Sequence, residues 1–257
     1  MSGESMEDRV EIIGLHHLPE IEEGCELGPL IAEAAERQGL KIEDGDVVVV
    51  THKIVSKAEG RLIQLSGVTP SEFAYRIASE QGKDPRYVEV VLRESSRIVK
   101  MRGSHLIVEN RLGHICANAG IDRSNVKPHA VALLPVDPDV SAAKIREALE
   151  RIRGVRIGVI ITDTCGRPFR NGQVNVAIGV SGLSPLKSYI GERDRFGNEL
   201  RSTVIAIADE LASAAELVMG KVDGVPVALV KGYRYTYDPR SGNAKMLIRE
   251  REKDLFA

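Results

Sequence analysis

The chain has 257 residues, of which 43% are hydrophobic and 28% are charged, as is typical of a globular protein with a substantial core. Its 35 Lys and Arg residues nearly balance its 37 Asp and Glu residues, and a net charge of -2 argues against a general nucleic-acid binder. The longest apolar runs are too short to cross a membrane, and the N-terminus lacks the hydrophobic region of a signal peptide. We therefore expect a cytoplasmic protein without membrane partners.

The cysteines and the first residues carry little structural information. Cys25, Cys116 and Cys165 are odd in number and widely spaced, and no C-x-x-C pair occurs, so neither a disulfide framework nor a zinc site is indicated. Residues 1–9 are mostly polar and patternless, which predicts a disordered N-terminus or a remnant of cloning. The folded region is expected over residues 10–257, as one unit or two subdomains.

The first part of the chain alternates helical and strand-like patterns. Apolar residues at helical spacing predict a helix over residues 28–39, with Gly39 as its C-cap. Residues 46–51 contain four consecutive valines and predict a buried strand. Thr69 followed by Pro70 predicts the N-cap and first turn of a second helix, which runs toward Gln81. The pattern thus predicts a sheet covered by helices.

The middle of the chain predicts a third helix and a hairpin. Asp84 and Pro85 indicate the start of a helix that runs toward Glu94. Two β-patterned runs follow, over residues 96–101 and 105–110, and the short connection between them predicts a hairpin. Residues 114–126 then form a polar loop.

The last part of the chain returns to helices and buried strands. Residues 155–161 are short, β-branched and almost wholly apolar, which predicts a strand covered on both faces. Further helices are predicted before this strand and over residues 203–219, and a strand over residues 227–232. The helix before residue 155 has an apolar face made of Ile145, Ala148, Leu149 and Ile152. The whole pattern predicts a mixed α/β (α+β) fold.

The segment ITDTCGRPFRNGQ, residues 161–173, is the most informative stretch of the sequence. It predicts that an apolar strand delivers Asp163 into a loop rich in glycine and arginine, and ligands gather beyond the carboxyl ends of such strands. A carboxylate there can hold a divalent cation, and Arg167 and Arg170 present donors that pair with phosphate or carboxylate oxygens. An aspartate that caps a turn beside two solvated arginines explains the same residues equally well.

Three further segments adjoin predicted strand ends. They are the loop that contains Asp122 and Asn125, the basic stretch over residues 51–61, and the sequence GKVDG over residues 220–224. The standard phosphate-binding and metal motifs are absent, including G-x-x-x-x-G-K-[ST], G-x-G-x-x-G and H-E-x-x-H. We therefore expect these segments to converge on one face and to form a site of a different kind.

Taken in order, these segments resemble the coenzyme F420-0:gamma-glutamyl ligase family, from Val10 to about Arg234. Several independent blocks in one order are far more specific than a single motif. The matching blocks are HLPEI (17–21), VSKAEGR (55–61), NAGIDRSNV (118–126), ITDTCGRPFRNGQ (161–173), AIGVSGL (177–183), ADELASAAELVMGK (208–221) and GVPVALVKG (224–232). The resemblance is to the single-domain form, without the C-terminal nitroreductase domain of many bacterial members.

The resemblance implies an activity and an assembly. Members join L-glutamate to the phospholactyl-deazaflavin F420-0 by an amide bond, with GTP as substrate and an acyl phosphate as intermediate, and further γ-linked glutamates are added in some cases. The resemblance implies Mg²⁺ or Mn²⁺, with K⁺ as a further cation. It also implies an intertwined homodimer of mixed α/β fold without a Walker-type phosphate loop.

The resemblance also implies roles for individual residues. Asp122, Asp163 and Thr164 match metal ligands, Asp122, Asp163 and Lys57 match catalytic positions, and Arg167 and Arg170 are candidates for substrate binding. The implied GTP contacts are Leu18, Pro19, Glu20, Ile21, His52, Lys53, Lys57, Asn125, Met219, Gly220, Lys221, Val222, Asp223, Gly224 and Val225. The chain departs from the family at Lys221, where archaeal members carry an acidic metal ligand, and this leaves open whether one metal ion or two bind.

Two other classes of function fit parts of the sequence. A cysteine-dependent amidohydrolase would use the thiol of Cys165, activated by His52 or His114, although no nucleophile motif surrounds it. A regulatory module that binds a nucleotide or a metal without catalysis would explain the aspartates and the basic residues.

Overall fold

The computed structural model describes residues 9–240 and 243–254, so most of the predicted N-terminal tail lies outside the described residues. A five-stranded sheet forms its centre. In chain order the elements are β1 (Glu11–Leu15), α1 (Leu27–Arg37), β2 (Val47–Thr51), α2 (His52–Ala58), β3 (Leu62–Gln64), α3 (Glu72–Gln81), α4 (Pro85–Arg93), β4 (Ser95–Arg102), β5 (His105–Asn110), β6 (Ile115–Ala117), β7 (Ala130–Ala132), α5 (Pro138–Arg153), β8 (Gly158–Gly166), β9 (Gln173–Ser181), β10 (Lys187–Ser188), β11 (Val204–Ile205), α6 (Ile207–Met219) and β12 (Val227–Lys231).

The central sheet has the strand order β1-β12-β2-β8-β9. β2 and β8 are parallel, with Val47 opposite Gly158 and Thr51 opposite Thr162, and the other neighbours are antiparallel. The carboxyl end of β2 therefore lies beside Thr162 in β8. This arrangement of helices and sheets confirms the mixed α/β fold.

The four valines of β2 fill both faces of this sheet. Val48 and Val50 belong to an apolar cluster that includes residues of α1 and α5, whereas Val47 and Val49 belong to a cluster that includes residues of α6. Side chains alternate between the faces of a strand, so a run without polar residues is buried on both sides. All four are fully buried, which confirms the predicted strand.

A third apolar cluster lies around α3, α4 and the sheet β4-β5-β6, together with the strand pair β3-β7. The predicted hairpin is confirmed, because β4 and β5 pair antiparallel on either side of Gly103, which has φ 54°. Asp84 caps α4 by accepting a hydrogen bond from the backbone N–H of Arg86. None of the described helices combines the length and apolar composition needed to span a membrane.

Two predicted helix starts and one predicted apolar face were wrong. α3 begins at Glu72, and its N-cap is Ser71 rather than Thr69, because the Ser71 hydroxyl accepts from the N–H of Ala74 at 3.2 Å. α6 begins at Ile207 rather than at residue 203, because Val204–Ile205 pairs with β10 as strand β11. In α5 the predicted apolar face buries Ile145 and Leu149, but Ile152 in the last turn is 46% exposed.

The largest correction concerns Asp163. It does not lead a loop, because β8 starts at Gly158 and continues through Asp163 to Gly166 while it pairs with β9. The register changes between Ile161 and Thr162, where the apolar half of β8 gives way to its polar half. The cross-strand hydrogen bonds to β9 hold this polar half in an extended conformation.

Gly179 provides a test of how tightly α5 packs on the sheet. A Cβ at Gly179 would lie 2.4 Å from the carbonyl oxygen of Pro138, the first residue of α5. Because backbone cannot rotate out of the way, we expect Gly179→Ala to lower the free energy of unfolding by about 1–3 kcal/mol, measured by chemical denaturation. Gly166→Ala is the matched control, since its Cβ meets no atom within 4 Å among the described residues. Equal losses in the two variants would contradict the packing argument.

Candidate functional site

A cavity of about 850 Å³ opens where β2 and the polar half of β8 meet, a size within the range of small-molecule sites. Its walls come from four regions of the sequence that the motifs had singled out. These are residues 18–23 before α1, residues 51–57 in and before α2, residues 122–127, and residues 216–226 from α6 to β12. Leu62, Thr162, Thr164 and Asn175 complete the lining.

Most of the predicted site residues line this cavity. They are Leu18, Pro19, Glu20, Ile21, His52, Lys53, Lys57, Asp122, Asn125, Thr164, Met219, Gly220, Lys221, Gly224 and Val225. The structure places five others outside the lining, namely Asp163, Arg167, Arg170, Val222 and Asp223. The convergence expected from the strand ends is therefore confirmed, whereas the ligand contacts of the single residues stay predictions.

Lys53 and Asp122 form an ion pair inside the cavity. The Nζ atom of Lys53 lies 2.7 Å from Oδ2 of Asp122 and 2.6 Å from the hydroxyl of Ser124. Burial by itself would raise the pKa of Asp122, but the hydrogen bonds from Lys53 and Ser124 outweigh it and lower that pKa below its usual value. Asp122 is therefore an ionised carboxylate that already faces a cation.

Lys57 lies one helical turn after Lys53 on α2, so both ammonium groups reach the same cavity. Its Nζ contacts the carboxylate of Glu20, whose side chain is 76% exposed. The stem of Lys57 is mostly buried, unlike that of an ordinary surface lysine. Because Glu20 is so exposed, its ion pair with Lys57 contributes little to the stability of the fold. The ammonium of Lys57 is therefore available to an anionic ligand.

His52 is buried and contacts protein groups through both ring nitrogens. Its Nε2 lies 3.3 Å from Oδ1 of Asp163, and its Nδ1 lies 3.3 Å from the hydroxyl of Ser56. The backbone N–H of Thr164 donates to the same Oδ1 at 2.6 Å. His52 therefore orients Asp163, a role that the sequence did not predict.

Lys221 lies among side chains from three elements. Its Nζ is 2.7 Å from the Thr164 hydroxyl, 2.8 Å from Oε1 of Glu216 and 3.2 Å from Oδ1 of Asn175. Asn175 and Glu216 were not predicted as site residues from the sequence. A polar residue between two valines of β9 was the available signal for Asn175, which is only 3% exposed.

Arg167 and Arg170 follow the carboxyl end of β8, in the connection to β9. Arg167 donates to the backbone carbonyl oxygens of Asn171 and Gly172, so it stabilises that connection. Arg170 is exposed. These contacts favour the turn-stabilising interpretation for Arg167, and substrate binding by either residue stays a prediction.

The environment of Cys165 does not favour a nucleophilic thiol. Burial, together with the negative charges of Asp163 and Asp209, raises the pKa of Cys165 above its usual value. Catalytic thiols need the opposite shift, because the thiolate is the reactive form. His52, one candidate base, already contacts Asp163 and Ser56.

The oxygen donors of the site fit a hard cation such as Mg²⁺ or Mn²⁺. Asp122 and Thr164 each contact a lysine ammonium, which shows that both oxygens face positions suited to positive charge. Among the described residues, no group of three or more His, Cys, Asp or Glu side chains is gathered that holds a metal ion by itself. A divalent ion here needs further oxygens from a bound ligand, as Mg²⁺ sites that use substrate phosphates do.

Comparisons with known proteins agree on one family. The family model described as F420-0:Gamma-glutamyl ligase matches residues 16–232. A coenzyme F420:L-glutamate ligase of Methanothermobacter thermautotrophicus is 46% identical over 96% of this chain and 98% of its own length. The proteins of that name from Methanopyrus kandleri and Methanocaldococcus jannaschii are 47% and 44% identical, each over 96% of this chain and 97% of the relative.

The contact between His52 and Asp163 is expected to stabilise the fold. His52→Leu removes a hydrogen-bonding partner from a mostly buried carboxylate, so we expect a loss of about 1–3 kcal/mol in the free energy of unfolding. His52→Gln keeps a side-chain donor and is expected to lose less. Chemical denaturation measures the free energy of unfolding of both variants. A leucine variant as stable as the wild type would show that the contact does not stabilise the fold.

Proposed function

Because this chain belongs to the F420-0:gamma-glutamyl ligase family, we propose that it joins L-glutamate to F420-0 through an amide bond, with GTP as the energy source. The reaction takes Mg²⁺ or Mn²⁺, with K⁺ as a further cation. The observation that carries this proposal is the cavity beside β2 and β8, in which two lysines of one helix and the carboxylate of Asp122 face each other.

The chemistry requires an activated carboxylate. An oxygen of the F420-0 carboxylate attacks the γ-phosphorus of GTP, GDP leaves, and an acyl phosphate forms. The amine of glutamate then attacks the carbonyl carbon, loses a proton, and displaces inorganic phosphate. Phosphoryl transfer depends mainly on positioning and charge neutralisation, so no protein nucleophile is required. The raised pKa of Cys165 agrees with a mechanism that does not use its thiol.

The ion pairs of the cavity suggest how the phosphates are bound. Lys53 leaves Asp122 and Lys57 leaves Glu20, and each ammonium turns to phosphate oxygens that carry more negative charge than a single carboxylate. The freed carboxylate of Asp122 would hold the divalent ion, and Asp163, which lies outside the cavity lining, would join it by turning from His52 toward the cavity. When bound, that ion would neutralise part of the negative charge of the phosphates.

The remaining walls fit the rest of the nucleotide. Leu18 and Ile21 offer apolar surface on one side, and Met219, Gly220 and Gly224 lie on another. Positive φ angles at Gly220 and Gly224, 58° and 68°, give the loop between α6 and β12 a path that other residues rarely take. Val222 and Asp223, at the tip of this loop, contact the nucleotide only if the loop moves inward.

We also propose that the chain works as a homodimer. Leu217 near the end of α6 and Val222 in the following loop are 85% and 90% exposed. Large apolar side chains this exposed, five residues apart in the sequence, favour a surface that another protein covers. A second copy of the chain is the partner that the family resemblance implies.

The direct test is a ligation assay. We expect the purified protein, incubated with GTP, Mn²⁺, L-glutamate and F420-0, to yield a product heavier by one glutamyl residue in the mass spectrum. Asp122→Asn and Asp163→Asn should each reduce the rate by about 100-fold or more, since each removes a negative charge from the metal site without changing its size.

Asp84→Asn is the matched control, because asparagine caps a helix as well as aspartate does and Asp84 lies outside the cavity lining. Near-normal turnover of either site variant at saturating Mn²⁺ would show that the metal is held elsewhere. GTP binding without any glutamylated product would favour the regulatory module instead.

The role of Cys165 separates the ligase from an amidohydrolase. In the ligase, Cys165→Ser keeps most of the activity, because no enzyme thioester forms. If the thiol were the nucleophile, serine would reduce the rate by roughly several orders of magnitude. A serine variant that binds GTP and Mn²⁺ normally but makes no product would rule out the acyl-phosphate mechanism as described.

A further inference from the structure

The ammonium of Lys221 is held in a cage of three side-chain oxygens, from Thr164, Asn175 and Glu216, which we call the Lys221 cage. The Nζ–oxygen distances are 2.7 Å, 3.2 Å and 2.8 Å in that order. The three oxygens come from β8, β9 and α6, so the cage joins the hairpin of β8 and β9 to helix α6.

The cage is fixed by its own hydrogen bonds. The Thr164 hydroxyl donates to Oδ1 of Asn175 at 2.9 Å, and Nδ2 of Asn175 donates to Oε2 of Glu216 at 2.8 Å. The Ser213 hydroxyl donates to the backbone oxygen of Asn175 at 2.7 Å. With its proton directed to Asn175, Thr164 presents a lone pair to Lys221. The three oxygens are thus oriented toward a cation.

The charge of the cage matches an ammonium. Glu216 is its single carboxylate, and one positive charge from Lys221 balances it. Mg²⁺ and Mn²⁺ also bind carboxylate, amide and hydroxyl oxygens, but Mg²⁺ does so at about 2.0–2.1 Å and with six ligands. Three oxygens at the longer distances of a hydrogen bond suit the ammonium.

The cage is also joined to the loop of Asp122. The backbone oxygen of Lys221 accepts a hydrogen bond from Nδ2 of Asn125 at 3.2 Å, and Asn125 lies three residues after Asp122. Lys221 therefore connects the wall formed by α6 with the wall that holds the proposed metal ligand. Its positive charge is held in the cavity that the phosphates are proposed to enter.

We propose that Lys221 is a built-in cation that occupies a position which a second divalent ion would otherwise take. Thr164 then binds Lys221 rather than a metal, and the chain uses one divalent ion, at Asp122 and Asp163. The inference rests on the proposed function only for that neighbouring ion. The cage itself makes a prediction about metal binding that needs neither nucleotide nor turnover.

The test is the number of Mn²⁺ ions bound by the purified full chain without nucleotide, from equilibrium dialysis with free Mn²⁺ read by electron paramagnetic resonance. Lys221→Glu removes the ammonium and adds a second carboxylate to the cage, so we expect one more bound Mn²⁺ per chain than in the wild type. Lys253→Glu is the matched control. It makes the same change in an exposed pair, Lys253 with Glu250 at 2.7 Å, and should gain none.

Lys221→Met removes the ammonium without adding a ligand, and it decides the question if the glutamate variant does not fold by circular dichroism. A gain of one Mn²⁺ in a folded Lys221 variant, with none in the control, supports the inference. No gain in either folded variant overturns it, as does a wild type that already binds two ions. A wild type that binds none, beside a variant that binds one, also supports the inference, because the ion at Asp122 and Asp163 needs oxygens of a bound ligand. The ligation assay with Asp122→Asn and Asp163→Asn tests that ion separately.

Discussion

The parallel pairing of β2 with β8 is the constraint on which the whole site depends. Thr51 lies opposite Thr162, so the first residues of α2 emerge beside the polar half of β8. A shift of the register by one residue would move every side chain of a strand to the opposite face. Both faces of the fully buried run Val47–Val50 pack against apolar clusters, so β2 is held firmly in the centre of the sheet. An apolar strand thus positions polar residues that follow it.

A second feature of the site is that three of its lysines are paired with carboxylates. Lys53 pairs with Asp122, Lys57 with Glu20 and Lys221 with Glu216. Unpaired charges are costly in partly buried surroundings, so a cavity that takes phosphates and a cation needs compensating charges before either arrives. In the proposed function, Lys53 turns from Asp122 to phosphate, and the freed carboxylate of Asp122 would hold a divalent ion. Binding of the ion and binding of the nucleotide would therefore favour each other.

Local patterns in the sequence predicted most of the local structure, although the N-cap of α3 was misplaced, and the largest failure came from long-range pairing. The valines of β2 and the Asp84 cap depend on neighbouring residues, and both predictions were confirmed. Asp163 was assigned to a loop because glycine and arginine follow it, but pairing with β9 extends the strand past it. The family resemblance identified most cavity residues. It could not identify the Lys221 cage, since Asn175 and Glu216 meet Lys221 only after three elements have packed.

The correction at Asp163 changes how its carboxylate serves the site. Side chains alternate along a strand, and Thr162 and Thr164 line the cavity while Asp163, between them, does not. His52 lines the cavity and contacts Asp163, so it connects this carboxylate to the site. His52 and Lys53 are consecutive in α2, and successive helical side chains diverge by about 100°. His52 is therefore directed to Asp163, and Lys53 is directed to Asp122. The start of α2 thus holds the two aspartates in a fixed relation.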